Sequence, residues 1–339
     1  MDNQNRIKAT AIANANVALV KYWGKRDKAL LLPKNGSISV TLDGVSAKTT
    51  VEFSKKYKEN IFILNGKRVK KDSKEQKEYI DDFLNKIKKL TNNKLKAKIV
   101  SKNNFVSGSG LASSAAGFAA LTGAINKALN LGFGNKKLSI LARLGSGSAT
   151  RSVFGGFVEW QKGKKKDGSD SFAKQIADDS FWPEFRIVAC ITSKEEKKIK
   201  SRAGMEQTIL TSPFYNAWLK TIDKDLKDVR DGLIKKNFSK VGRVAEENCL
   251  KMHSLMMSTK PSIIYFEPGT IEIIHNVLSL REKGIECYFT IDAGPQVKIL
   301  CLQKNLKTII KMVKKIKTIK EVIVTKTGKG VINTDNHLF

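Results

Sequence analysis

Residues 106-VSGSGLASSAAG-117 join a strand-like run, KAKIV at 96–100, to an alanine-rich stretch with high helix propensity, AAGFAALTGAINKALNL at 115–131. Strand, then glycines and hydroxyls, then helix turns backbone N–H groups and the helix dipole toward an anion, so the segment reads as a phosphate cradle. The G-x-x-x-x-G-K-S/T pattern is absent, so this is not a Walker A loop. A dinucleotide site is disfavoured too: Ser113 stands at the third glycine position, and no acidic residue follows at the ribose-binding distance. The plain alternative is a turn capped by Ser113 or Ser114.

Upstream of the loop, residues 6–20 and 37–53 are rich in Val, Ile, Thr and Ala with partial alternation, which predicts strands. NIFILNGKRV at 60–69 sets Asn65-Gly66 between β-type residues, a hairpin signal. Tyr79, Ile80, Phe83, Leu84, Ile87 and Leu90 fall on helical spacing and predict one helix over 73–90. Downstream, KLSILARLGSGSATR at 137–151 reads as a second short helix, and FGGFVEWQKG at 154–163 as a strand running into a mobile polar segment, KKKDGSD. The chain changes character around Pro183. FRIVACIT at 185–192 reads as a buried strand, followed by helices near 212–235, 238–258 and 269–283, a strand-turn-strand at 286–302, a helix near 305–316 and a strand near 320–326. A chain of 339 residues exceeds most single cores. The reading is therefore a mixed α+β protein in two domains, or two lobes with a crevice, divided near residue 184 into 1–184 and 185–339.

Three more segments could share a site with the loop. In 145-GSGSATRS-152, Arg151 offers a planar fork suited to a carboxylate, among hydroxyls that suit a small polyanion. In 290-TIDAGP-295, Asp292 ends an apolar strand where it could act as a base, unless it merely shapes the turn. In 17-VALVKYWGKRD-27, Lys21 and Lys25 could meet phosphates while Tyr22 and Trp23 wall an apolar pocket; a solvated loop is the alternative.

Composition sets the outer limits. With 41% hydrophobic and 28% charged residues, and no apolar run long enough to span a bilayer, the chain reads as a soluble globular protein. The N-terminus has no basic, then apolar, signal-peptide pattern, so a cytoplasmic location is expected. Cys190, Cys249, Cys287 and Cys301 lie far apart in apolar settings and read as reduced core residues, while His253, His275 and His337 are isolated. The net charge of +30 raises a nucleic-acid partner, yet its lysines are scattered with helical spacing and few aromatics interleave. A solvated surface that also draws in anionic substrates is the preferred reading, with no nucleic-acid partner.

Taken together, ANANVALVKYWGKRD, PKNGSISVTLD, NNFVSGSGLASSAAGFAAL, LARLGSGSATRSVFGGFVEW, SRAGMEQT, SPFYNAWL and DAGP, in that order, resemble the mevalonate diphosphate decarboxylases of the GHMP kinase superfamily. The resemblance implies a GHMP kinase fold, with an N-terminal lobe like ribosomal protein S5 domain 2, a ferredoxin-like C-terminal lobe and a cleft between them. It implies a lyase of the mevalonate pathway that uses ATP and Mg2+ to decarboxylate mevalonate 5-diphosphate, in a cytoplasmic homodimer. The alternatives are a phosphomevalonate decarboxylase and a kinase that does not decarboxylate. By the same resemblance Asp292, Arg151, Lys21 and Asn16 are catalytic. Tyr22, Trp23, Lys25, Ser146, Ser148, Ser201, Arg202 and Met205 bind the substrate. Ser101, Gly108, Ser109, Gly110, Leu111, Ala112, Ser113 and Ser114 bind ATP, with Ser114 as a contact for the magnesium on its phosphates. The chain departs from the usual pattern with VSGSG in the phosphate loop, PKNGSISV, Lys200 in place of a serine and Gln296 in place of an asparagine.

Overall fold

Alternating small and β-branched residues build two long strands that carry the first half of the molecule. The computed structural model describes residues 7–105, 113–195 and 197–339. In chain order these form β1 (Ile7–Val20), β2 (Lys25–Asp27), β3 (Leu32–Pro33), β4 (Ser37–Ser54), β5 (Ile61–Leu64), β6 (Lys67–Arg68), a π-helical segment (Glu75–Asp81) running into α1 (Asp82–Thr91), and β7 (Lys96–Asn103). Next come α2 (Ser113–Ala128), α3 (Asn135–Gly145), α4 (Ala149–Ser152), β8 (Phe157–Trp160) and β9 (Ala173–Ala177). The remainder is β10 (Phe185–Ile191), α5 (Ser201–Thr211), α6 (Tyr215–Ile234), α7 (Phe238–Met257), α8 (Pro268–Glu282), β11 (Cys287–Thr290), β12 (Val297–Leu302), α9 (Gln303–Val313), β13 (Glu321–Lys326) and β14 (Ile332–Thr334).

Among the described residues, an eight-stranded sheet has the order β14-β1-β4-β7-β5-β6, with β8 and β9 continuing from β4. A four-stranded sheet follows the order β11-β12-β10-β13. Strand β1 pairs antiparallel with β4 from Ile7↔Phe53 to Val20↔Ile38, and its register shifts between Asn14 and Asn16 and again between Ala18 and Val20. Such irregularities re-aim side chains, and these lie on the stretch of β1 that carries Asn16 toward the site. Phe83, Leu84 and Ile87 of α1, the alanines of α2 and Leu141 of α3 pack with Ala11, Val51 and Ile99 of the first sheet. Ile273 and Val277 of α8 and Ile309 and Val313 of α9 cover the second sheet. Between the sheets, Trp182, Phe185, Phe238 and residues of α6 and α7 join Val17, Leu19 and Val40 in one continuous core.

The α+β architecture and most of the expected elements are present. Asn65 and Gly66 both take positive φ, 50° and 79°, as a tight hairpin requires. Several details depart from expectation. The helix expected over 73–90 starts as a π-segment, where buried Gln76 and Asn60 both reach Asp81 Oδ1. The helix expected over 137–151 is broken: Ser146 is extended, so α3 ends at Gly145 and α4 starts afresh at Ala149. KKKDGSD is tied down rather than loose. Asp170 accepts backbone N–H bonds from Lys164 and Lys165, and buried Arg143 donates to the carbonyls of Gly168 and Ser171. Helix α5 and strands β9 and β14 carry no strong periodicity and were not anticipated. All four cysteines are free and buried, as expected.

Candidate active site

The turn after β1 is built by hydrogen bonds to its main chain. Lys21 N–H donates to Asn248 Oδ1 at 2.8 Å, and Asn35 Nδ2 donates to the Lys21 carbonyl at 2.7 Å. Tyr215 OH donates to the Trp23 carbonyl at 2.8 Å, and Trp23 Nε1 donates to Thr208 Oγ1 at 3.1 Å. Gly24 closes the turn with φ of +119°, and a Cβ there would stand 2.0 Å from the Tyr215 hydroxyl. The Tyr22 ring tilts against Trp160 at 4.8 Å, and its hydroxyl is buried with no partner among the described residues. Burial pushes the Tyr22 phenol well above its ordinary pKa, so it stays a neutral donor.

Lys21 itself is 1% exposed. Its Nζ donates to the Ala18 carbonyl and to Asp292 Oδ1, each at 2.8 Å. The other oxygen, Asp292 Oδ2, lies 3.5 Å from Lys298 Nζ. Asp292 is placed just past the end of β11, and its carbonyl accepts a 2.9 Å bond from His253 Nε2 on α7. Burial acts to raise the Asp292 pKa, but the charges of Lys21, Lys298 and Arg151 outweigh it and hold the carboxyl far below the usual range. It is an ionised, weakly basic carboxylate, 29% exposed.

Arg151 projects from the short helix α4 and is 3% exposed. Its Nε and one terminal nitrogen donate to Asn16 Oδ1 at 3.3 and 3.1 Å, and the other terminal nitrogen donates to Ser37 Oγ at 2.6 Å. Asn16 is oriented in turn: its Nδ2 donates to Ser152 Oγ at 2.7 Å and to the Ser148 carbonyl at 3.1 Å. Burial lowers Arg151 to about 10, which leaves it charged at neutral pH. The break between α3 and α4 is what presents the hydroxyls. Ser146 Oγ lies 3.2 Å from Ser148 Oγ and 3.3 Å from Ser114 Oγ. Arg202, at the start of α5, donates to the Gly145 carbonyl at 2.7 Å and stacks on Tyr79 at 4.0 Å.

These groups surround a cavity of about 200 Å³. Asn16, Lys21, Tyr22, Trp23, Lys25, Ser114, Ser146, Ser148, Arg151, Ser201, Arg202, Met205 and Asp292 all line it, so the four separate segments meet in space. Lys197 lines it as well and was missed, since nothing sets it apart within KEEKKIK. A second cavity, of about 260 Å³, lies between α2 and the β5–β7 edge. It is mostly apolar, with Phe62, Tyr79, Ile80, Phe118 and Leu121, and it takes in Ser101, Ser113, Ser114 and Lys200. Ser114 therefore borders both spaces. Gly108, Ser109, Gly110, Leu111 and Ala112 lie outside the described residues. Gln296, the departure beside the DAGP turn, anchors the end of β10: its Oε1 accepts from Thr192 N–H at 2.7 Å and its Nε2 donates to the Ser193 carbonyl.

His253 and Lys298 were also missed. The signal for Lys298 was a lone lysine inside the apolar run VKILCL; for His253 it was a histidine four residues after Cys249 on one helix face. Among the described residues no group of three or more His, Cys, Asp or Glu side chains is placed to hold a metal ion.

A family model described as the diphosphomevalonate decarboxylase-like N-terminal domain matches residues 13–173. Another, described as the mevalonate 5-diphosphate decarboxylase C-terminal domain, matches residues 187–335. The chain is 36% identical over 321 residues to the diphosphomevalonate decarboxylase of Debaryomyces hansenii, covering 91% of this chain and 82% of that one. Mevalonate diphosphate decarboxylase from Staphylococcus aureus has a TM-score of 0.91 to this structure at 37% identity, over 97% of this chain and 98% of that one. A solved structure described as MDDEF in complex with MVAPP, AMPPCP and magnesium has a TM-score of 0.90 at 39% identity, over 97% and 99%. The order of the motifs, the shape of both sheets and the meeting of Asp292, Arg151 and the serine turns thus have one explanation: the chain belongs to the diphosphomevalonate decarboxylase family.

Proposed function

We propose that this protein catalyses ATP-dependent decarboxylation of mevalonate 5-diphosphate, giving isopentenyl diphosphate, ADP, phosphate and carbon dioxide. The observation that carries this reading is the junction at Ser114 of two cavities, one cationic around Asp292 and Arg151, the other apolar between α2 and the sheet edge. A tertiary hydroxyl is a poor leaving group. Transfer of the γ-phosphoryl group to that oxygen yields a phosphate ester and ADP. The C–O bond then breaks with its electron pair leaving on phosphate, and the pair of the adjacent C–C bond fills the new double bond as carbon dioxide departs.

In this reading Asp292 orients the tertiary hydroxyl and accepts its proton. Its weak basicity suits a loose phosphoryl-transfer transition state, in which the attacking oxygen gives up its proton late. Arg151 has five N–H donors. Asn16 and Ser37 engage one on each nitrogen, so each terminal nitrogen keeps one donor for the substrate carboxylate. Lys25, Lys197 and Arg202 clamp the diphosphate with Tyr22, while Ser146, Ser148 and Ser201 supply hydrogen bonds. Trp23 and Met205 wall the carbon skeleton. Lys21 belongs with the catalytic carboxylate more than with the diphosphate, because its ammonium is committed to Asp292 and the Ala18 carbonyl.

ATP would place its purine in the apolar cavity with Ser101 and its phosphates along the start of α2 at Ser113 and Ser114. The related protein solved with AMPPCP and magnesium supports the use of ATP and magnesium. Magnesium prefers oxygen ligands, and a site offering the Ser114 hydroxyl, with no carboxylate cluster among the described residues, fits an ion carried in on nucleotide phosphates and water. When bound, the ion neutralises charge on those phosphates. The reading assigns nucleotide binding to residues 1–184 and Asp292 to 185–339. No helix among the described residues is long and apolar enough to cross a membrane. The family resemblance supports a cytoplasmic homodimer, which sedimentation of the purified protein would test.

Incubation with ATP, magnesium and mevalonate diphosphate should release ADP and carbon dioxide in equal yield. ADP without carbon dioxide would make the protein a kinase instead, and faster turnover of mevalonate monophosphate would overturn the diphosphate assignment.

A further inference from the structure

Lys298 lies within β12 among buried neighbours and is itself 0% exposed. An apolar side chain would satisfy the packing at that position, whereas an ammonium stripped of water is costly unless it finds acceptors. The acceptors within its reach include Asp292 Oδ2 at 3.5 Å and the Gln296 carbonyl at 3.4 Å. Lys21, 1% exposed, approaches the same carboxylate through Oδ1 at 2.8 Å. The two lysines come from opposite sides of the molecule: Lys298 lies in β12 of the four-stranded sheet, and Lys21 directly follows β1 of the eight-stranded one. One carboxylate is therefore held by a cation from each lobe.

We infer that Lys298 is a positioning residue for the reaction, one whose ammonium, opposite Lys21, fixes the plane of the Asp292 carboxylate and so aims Oδ2 at the substrate hydroxyl. The inference rests on the catalytic reading of Asp292. A carboxylate held at one oxygen can still swing about its terminal torsion, which is broad for aspartate. A second cation on the other oxygen removes that freedom. The unequal distances matter as well. Oδ1 is occupied by a short, charge-assisted hydrogen bond, while the longer contact to Lys298 leaves Oδ2 the more open acceptor. Lys298 does not line the cavity and would not touch the substrate, so its effect should pass through Asp292.

A kinetic double-mutant cycle separates this role from a merely structural one. In the purified full chain, K298M should lower kcat about tenfold or more, with KM for mevalonate diphosphate within about twofold of wild type. In a D292N background the same K298M change should alter kcat by less than about twofold, because the group it orients is gone. If K298M does not fold, as judged by circular dichroism, K298Q takes its place in the cycle with the same expectations. An unchanged kcat in the single variant, or an undiminished loss in the D292N background, overturns the role of Lys298 while slow D292N keeps Asp292 in place. Near wild-type turnover by D292N overturns both.

Discussion

Asp292 carries opposed electrostatic demands in one side chain. Burial alone would favour the neutral acid, but Lys21, Lys298 and Arg151 keep it ionised. Asn at this position preserves the shape, keeps a hydrogen-bond acceptor for Lys21 and removes the proton acceptor. D292N should therefore lower kcat by roughly a hundredfold to ten-thousandfold, the usual worth of a positioned base, with little change in substrate dissociation constant. Single-turnover carbon dioxide release checks this, and near-normal release would refute the assignment. That Asp292, Arg151, Lys21, Tyr22, Trp23 and Lys25 share one cavity was legible from residue type, local context and motif order. Lys298 and His253 were not, because a buried lysine and a buried histidine acquire a role only through the acceptor that folding puts beside them.

Helix α7 works as a holder for the site. Asn248, Cys249 and His253 share a face that bonds the main chain of Lys21, Ile291 and Asp292, the middle contact running from Ile291 N–H to Cys249 Sγ at 3.1 Å. Burial holds His253 near a pKa of about 3, so the imidazole is neutral and donates Nε2–H to the Asp292 carbonyl. The unfolded chain takes up a proton near pH 6.5, where the native site refuses it. The stability tied to His253 is thus fully present above pH 6.5 and drains away as pH falls toward 3, by about 2 kcal/mol between pH 6.5 and 5. H253Q should flatten that fall while retaining a donor for the carbonyl. Urea denaturation of both proteins at pH 7 and pH 5 measures it, and parallel losses would show that the histidine is not responsible. Element boundaries also decided the serine geometry. The periodicity at 137–151 ran through Ser146, but only an interrupted helix can present Ser146 and Ser148 beside Ser114.

At the scale of the whole molecule, the chain's end returns to its beginning. Strand β14 pairs with β1 through Thr10↔Thr334, and Val331 packs so closely on Gly123 of α2 that a Cβ there would lie 2.4 Å from it. The N–H of Leu338 reaches Thr50 Oγ1 at 2.9 Å, and Lys8 donates to the Phe339 carbonyl at 2.9 Å. A chain stopped after Thr327 loses a strand and part of the first lobe's core but no cavity residue. Its melting temperature should fall by at least about 5 °C, a loss of a few kcal/mol in a protein of this size. Differential scanning calorimetry checks this, and an unchanged melting temperature would show that the tail is not part of the first lobe's structure. The sequence by itself determined most element types, the α+β class, the family and most of the residues that line the cavity, because periodicity, turn residues and motif order are local properties of the chain. The tertiary structure alone decided that Lys21 serves Asp292, that Asn16 and Ser37 aim Arg151, that Lys298 closes on the carboxylate opposite Lys21 and that Ser114 borders both cavities. Apart from Lys298, which meets Asp292 across the turn between β11 and β12, these contacts join residues far apart in the chain, and their distances and shared burial are set by how the two sheets pack.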